Sequence, residues 1–197
     1  KYFTQRPDGR DIFQEMQAQG YRVARSWEKA GALPSGKTLV VAAPGNLPPP
    51  SKRGDVFRQA AVKALDTLSR NPNGFFLMIE GSNIDKAAHS NNLEEMMEEL
   101  LDFDRTAGAV LDWASKHPGT LVVITADHNT GAFALTGGSR EKGEITARFG
   151  SGSHDGVAVP VYAFGAGSGA FTGIYENTAI FSKIMDAFKK GAGKPVR

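Results

Sequence analysis

At 197 residues with 41% apolar side chains, the chain is long enough for one domain, or a large part of one, with a sizeable core. Its 23 basic and 21 acidic residues nearly balance, leaving no field of one sign to favour nucleic acid or an anionic membrane. Cysteine is absent, which excludes a disulfide framework, a cysteine-rich zinc site and a thiol nucleophile, and no apolar run nears the roughly 20 residues of a membrane helix.

The chain opens on "KYFTQRPDGRD", with no signal-peptide pattern and in the manner of mid-protein sequence, so a longer parent protein is expected. From Asp8 to Gly20 the spacing of Ile12 and Met16 predicts a helix that stops at Gly20, where glycine tolerates positive φ. "YRVAR" reads as a short strand and "TLVVAA", Thr38 to Ala43, as another. "PGNLPPP" reads as a loop, because its prolines lack backbone donors. A helical stripe of Val56, Ala60, Val62, Ala64, Leu65 and Leu68 spans Asp55 to Ser69, and "NPNG" breaks it before an apolar strand, Phe75 to Ile79.

Asn92, with Glu95 three positions on, marks the start of a long helix. Leu93, Met96, Met97, Leu100, Leu101, Ala107, Val110, Leu111 and Ala114 form its apolar face; Glu94, Glu95, Glu98, Glu99 and Asp102 read as its wet side. "KHPG" closes this helix, and Thr120 to Thr125 reads as a strand buried on both faces of a parallel sheet, completing a βαβ crossover. A Gly-rich polar stretch, Gly137 to Gly152, precedes the strand "VAVPVYAF", the loop "GAGSGAFTG" and an amphipathic helix from Tyr175 to Lys189. That last loop has no P-loop lysine pattern and is read as a plain loop. No internal repeat or domain boundary is visible.

The chemistry-bearing residues gather where apolar strands stop. Phe75 to Ile79 runs into Glu80, and the strand ending at Ala126 runs into Asp127 and His128. Ligands collect beyond the carboxyl ends of strands in open α/β sheets. Asp85 and His89 are four apart, so on a helix they share a face and can close on one metal ion; carboxylate and imidazole both suit zinc. Asp127 and His128 form a second pair if the backbone turns at the strand end. Each pair alone is a weak signal, more simply read as a surface salt bridge or a cap. His154, in "GSGSHDG", supplies a third histidine beside a strand, while His117 in "KHPG" is assigned a structural role.

"FFLMIEGSNIDKAAHSNN", "TLVVITADHNTGAF" and "GSHDGVAVPVYAFG" resemble, in order and spacing, three motif blocks of the alkaline phosphatase family; "FTGIYENTAIFSKIMDAF" resembles its closing segment. The resemblance covers nearly the whole chain. It implies a three-layer α/β/α fold with a mostly parallel central sheet, of which residues 1–197 are a C-terminal part of a single domain. It further implies that Asp85, His89 and His154 hold one zinc, that Asp127 and His128 hold a second, and that Glu80 is a magnesium ligand. Lys86 matches a position that contacts substrate phosphate through water in some bacterial members; read alone, it is a solvated helix lysine.

The implied reaction is hydrolysis of small phosphate monoesters through a phosphoserine, in a homodimeric protein that is periplasmic or secreted. Nucleic acid and membrane are not implied partners. The family's nucleophilic serine and phosphate-binding arginine match nothing here: Ser82, Ser90 and Ser153 lie near the motifs but outside the nucleophile block, so residues 1–197 alone are expected to be inactive. Rival readings are a phosphoglycerate mutase or phosphodiesterase of the wider superfamily, which usually follow "DH" with glycine where Asn129 stands here, and a non-catalytic metal-binding module.

Overall fold

Some of the helices begin where a side chain satisfies the first free backbone donors. In the computed structural model, which describes residues 3, 5–31, 33 and 36–191, Asp11 accepts from the N–H groups of Phe13 and Gln14 and starts α1, Ile12–Ala18. Phe13 is buried there, stacked on Phe3 and covered by the Arg25 guanidinium. β1 (Arg22–Ala24) pairs in parallel with β2 (Thr38–Val40), with α2 (Trp27–Gly31) between them in sequence. The proline-rich stretch is not wholly irregular: Pro50 opens a short helix, α3 (Pro50–Arg53), because a proline in the first turn loses no intrahelical bond. α4 (Val56–Leu68) buries Leu65 of its predicted stripe, and Ala61, which lies outside it.

The chain divides into two compact units, Lys1–Leu77 and Met78–Arg197. The expected strand at Phe75 to Ile79 falls across this division and joins no sheet among the described residues. Burial still alternates with period two: Phe75, Leu77 and Ile79 are half-buried, whereas Phe76 and Met78 are 62% and 76% exposed. The segment has a strand's composition and alternation but belongs to no sheet among the described residues, so the crossover expected from it to the strand at Thr120 to Thr125 is not seen there.

In the second unit, α5 (Ser82–His89) packs against α6 (Leu93–Ser115). Asn92 caps α6 by accepting from the Glu95 N–H, and its own amide donates to the Glu95 carboxylate. The buried core is Ala87, Ala88 and Met96, with Ile84, Leu93, Phe133 and Phe149 packed on it. The face of α6 that meets α5 is not the one the acidic run suggested. Glu99 and Asp102 are only 5% and 3% exposed, Glu99 accepting from Asn83 and Asp102 pairing with Arg105, while Leu100 and Leu101 are exposed. The Asn83 side chain on α5 receives Glu99, which no periodicity of α6 alone reveals.

Among the described residues, β3 (Leu121–Thr125) pairs antiparallel with β8 (Val161–Gly165). Two further antiparallel ladders complete the unit: β4 (Asn129–Thr130) with β7 (His154–Asp155), and β5 (Ala134–Ser139) with β6 (Glu144–Arg148). The latter hairpin occupies much of the Gly-rich stretch that carried no strand signal. A single 3-10 turn, Ser168–Phe171, sits in the loop before α7 (Ala179–Gly191). α7 leaves Phe181, Met185 and Phe188 exposed on one stripe, and Tyr162 and Phe164 of β8 are exposed as well. Among the described residues, no helix is long and apolar enough to cross a membrane.

Candidate metal centre

Two packing constraints fix the walls of the site. Gly81 precedes α5, and a Cβ there would come within 2.7 Å of the Phe103 ring, so only glycine lets α5 start this close to α6. Gly131, at φ +80°, follows β4; a Cβ there would meet Phe149 at 2.9 Å and the Ala88 carbonyl at 3.1 Å. The chain after Thr130 therefore runs tight against the buried side of α5.

On the other side of α5 stand Asp85 and His89, one turn apart as their spacing predicts, and β7 brings His154 to them. His89 Nδ1 is 2.7 Å from the Gly152 carbonyl oxygen. A carbonyl only accepts, so Nδ1 carries the hydrogen and Nε2 of the neutral ring presents a lone pair. That Nε2 lies 3.0 Å from His154 Nε2. Two lone pairs cannot face each other at this distance; either His154 turns an N–H toward His89, or a cation draws both nitrogens. Asp85 closes the triangle, with its oxygens 3.5 Å from His89 Nε2 and 3.5 Å from His154 Nε2. Ligand atoms on a tetrahedral zinc stand about 3.3 Å apart, given metal–ligand bonds near 2.0 to 2.2 Å. The two ring nitrogens, and the nearer Asp85 oxygen to each of them, lie near that spacing, and one ligand atom from each residue falls within 4.8 Å of the others, so the donor set suits the ion. Among the described residues this trio forms a group able to hold a metal.

Asp127 and His128 sit at the end of β3, with Asp127 Oδ2 3.3 Å from His128 Nε2. Asp127 is exposed and His128 half-buried. Two contacts join this pair to the trio. His128 stacks on His154 with ring centroids 3.5 Å apart. Thr130, buried in β4, donates its hydroxyl to Asp85 Oδ1 at 2.6 Å and stands 3.2 Å from His128 Nδ1. With that hydroxyl hydrogen committed to Asp85, Thr130 Oγ1 is left to accept from His128, which again frees an Nε2 lone pair.

Glu80 is exposed, two residues before α5, and lies outside the trio. Lys86 is exposed on α5 and donates to Asn83 Oδ1 at 3.2 Å. His117 keeps to its structural role: Nδ1 donates to the Trp113 carbonyl at 2.6 Å and the ring stacks on the indole. Sequence reasoning missed Thr130, Gly152 and Asp155. Asp155 accepts from Asn129 Nδ2 at 2.9 Å, from the Ala132 N–H at 3.0 Å and from the Val157 N–H at 3.1 Å. Only the β4–β7 register, Thr130 opposite His154 and Asn129 opposite Asp155, puts these residues together.

Comparison with known proteins places this geometry in context. A family model described as alkaline phosphatase matches residues 4–146. Streptomycin-6-phosphate phosphatase of Streptomyces griseus is 30% identical over a stretch that covers 91% of this chain and 51% of that protein. Alkaline phosphatase H of Pseudomonas aeruginosa is 27% identical, covering 91% of this chain and 47% of that protein. The chain thus spans about half the length of the curated relatives it matches. Among solved structures, a TAB5 alkaline phosphatase mutant with Mg bound in its M3 site superposes with a TM-score of 0.84 at 33% identity, covering 95% of this chain and 58% of that one. Alkaline phosphatase from the Antarctic bacterium TAB5 superposes with a TM-score of 0.81 at 33% identity, over the same shares.

Proposed function

Since the chain belongs to the alkaline phosphatase family and has an alkaline phosphatase-like α/β fold, we propose that the full-length protein hydrolyses small phosphate monoesters through a phosphoserine. The observation that carries this reading is the convergence of Asp85, His89 and His154, which bring one ligand atom each within 4.8 Å of the others. Two zinc ions and a magnesium ion are the cofactors, with Asp85, His89 and His154 holding one zinc, Asp127 and His128 contributing to the other, and Glu80 serving magnesium. Bound together, such ions supply Lewis-acid neutralisation of the attacking and leaving oxygens of an in-line displacement.

The residues of this chain do the holding and orienting. His89 is aimed by the Gly152 carbonyl, and Asp85 by the Thr130 hydroxyl. His128 is held between Thr130 and the His154 ring. Lys86 lies next to Asp85, on the α5 surface from which it can reach an anionic substrate through water. The nucleophilic serine and the phosphate-binding arginine belong to a part of the full-length protein outside residues 1–197, and the protein is a periplasmic or secreted homodimer.

The test is an assay of residues 1–197 and of the full-length protein with zinc, magnesium and a chromogenic phosphate monoester. Turnover by the full-length protein alone is expected. Robust turnover by residues 1–197, persisting after removal of host phosphatase, would refute the assignment of the nucleophile.

A further inference from the structure

Asp155 has a role that the ligand set does not explain. It is half-buried, it neighbours His154 in β7, and it lies outside the metal-holding trio. Both of its carboxylate oxygens are engaged by donors from two segments. Oδ2 accepts from the Asn129 side chain and from the Ala132 N–H, both on the β4 side, and Oδ1 accepts from the Val157 N–H on its own side. Bonds of N–H groups to a carboxylate are roughly twice as strong as neutral ones.

The segment it grips is strained. Gly131 and Ala132 follow one another at φ +80° and φ +45°. A left-handed conformation costs a non-glycine residue on the order of 1–2 kcal/mol. Ala132 keeps it because its N–H points at Asp155. The same two-residue step carries Gly131 N–H to the Ser153 carbonyl, one residue before His154. The ladder between β4 and β7 is itself only two residues long, so its backbone bonds hold the His154 turn weakly.

We propose that Asp155 is a positioning residue for the metal centre: by tying Asn129, Ala132 and Val157 together, its carboxylate fixes the turn that aims His154 at Asp85 and His89 and stacks it on His128. The metal part of this statement rests on the function proposed above; the placement of His154 does not. Asp155 differs from a residue that only stabilises the fold, because its removal releases one ligand from two and leaves α5, with Asp85 and His89, in place.

The experiment uses the full-length protein as wild type, Asp155→Ala and Asp155→Asn. Zinc affinity is measured by chelator competition, and the ring resonances of His154 are followed by NMR in histidine-labelled, metal-free protein, where stacking on His128 displaces them. Asp155→Ala is expected to weaken zinc binding about 10- to 100-fold and to collapse the His154 displacement. Asp155→Asn keeps one acceptor oxygen but turns an amide nitrogen toward a donor, so it falls between, and it reports on the site if the alanine variant does not fold. Unchanged zinc affinity, or an unchanged His154 resonance with only a lower melting temperature, overturns the proposal. Wild type that binds no zinc sinks the proposed function, and the His154 resonance then decides the role of Asp155 by itself.

Discussion

The Thr130 hydroxyl donates to Asp85 Oδ1 at 2.6 Å while standing 3.2 Å from His128 Nδ1, so one buried side chain touches members of both Asp/His pairs. Thr130→Val keeps the shape and removes both bonds. Zinc affinity should fall about 10- to 100-fold, and Thr130→Ser, which restores the hydroxyl, should recover most of it. Equal affinities for the valine and serine variants would show that the hydroxyl does not orient the ligands.

Metal binding should be visible as stability. At free zinc 100-fold above its Kd, the folded state gains about 2.7 kcal/mol, and for a chain of this size each kcal/mol moves Tm by roughly 2–4 °C. A chelator should therefore lower Tm by several degrees in wild type and leave His154→Ala nearly unmoved. The same shift in both proteins, read by calorimetry, would place the zinc elsewhere.

Gly165 closes β8 at φ +88°, where an added Cβ would collide with the Thr120 carbonyl oxygen. That carbonyl also accepts from the Ala166 N–H at 3.0 Å, so it has little room to move. Gly165→Ala should cost about 1–3 kcal/mol from backbone strain, with the collision added. Chemical denaturation of the variant should show a lower midpoint at an unchanged slope, and an unchanged midpoint would mean that the β3–β8 end relaxes freely.

The first unit offers a pH test that involves none of the candidate ligands. The Arg6 guanidinium, bonded to Asp8 at 2.5 Å, holds the Asp8 carboxyl at about 2 against an ordinary 3.8. The folded value is lowered, so the contact stabilises fully above the unfolded value and loses its effect as pH falls from near 4 through about 2. Asp8 is exposed, and salt should weaken the effect. An NMR titration should find the Asp8 midpoint near 2 in wild type and raised toward 3.8 in Arg6→Ala, where the Arg10 N–H still bonds the carboxylate; coincident midpoints would remove the pairing.

Local signals were readable in the sequence. Asn92 with Glu95 announced α6, and the four-residue spacing of Asp85 and His89 placed them on one face of α5. What depended on distant partners was not readable. Phe75 to Ile79 has a strand's composition, but composition supplies no neighbour. Glu99 and Asp102 looked like solvent-facing acids because the Asn83 side chain that receives Glu99 is 16 positions away. The β5–β6 hairpin hid behind "ALTGGS", whose glycines erase alternation, and its ladder is irregular between Leu135 and Gly137. Asp155 reads as a turn residue until the pairing of β4 with β7 gives it Asn129.

That pairing is the shortest ladder in the second unit, two residues on each strand against five pairs between β3 and β8. Backbone amides in so brief a ladder exchange with solvent through small local openings, at far lower free energy than those of a longer one. Thr130 and His154 ride on this strip, while Asp85 and His89 ride on a helix packed against α6. The candidate centre is thus built across a mechanical boundary, half on a firm element and half on a soft one, and an ion held between them would act as the clasp.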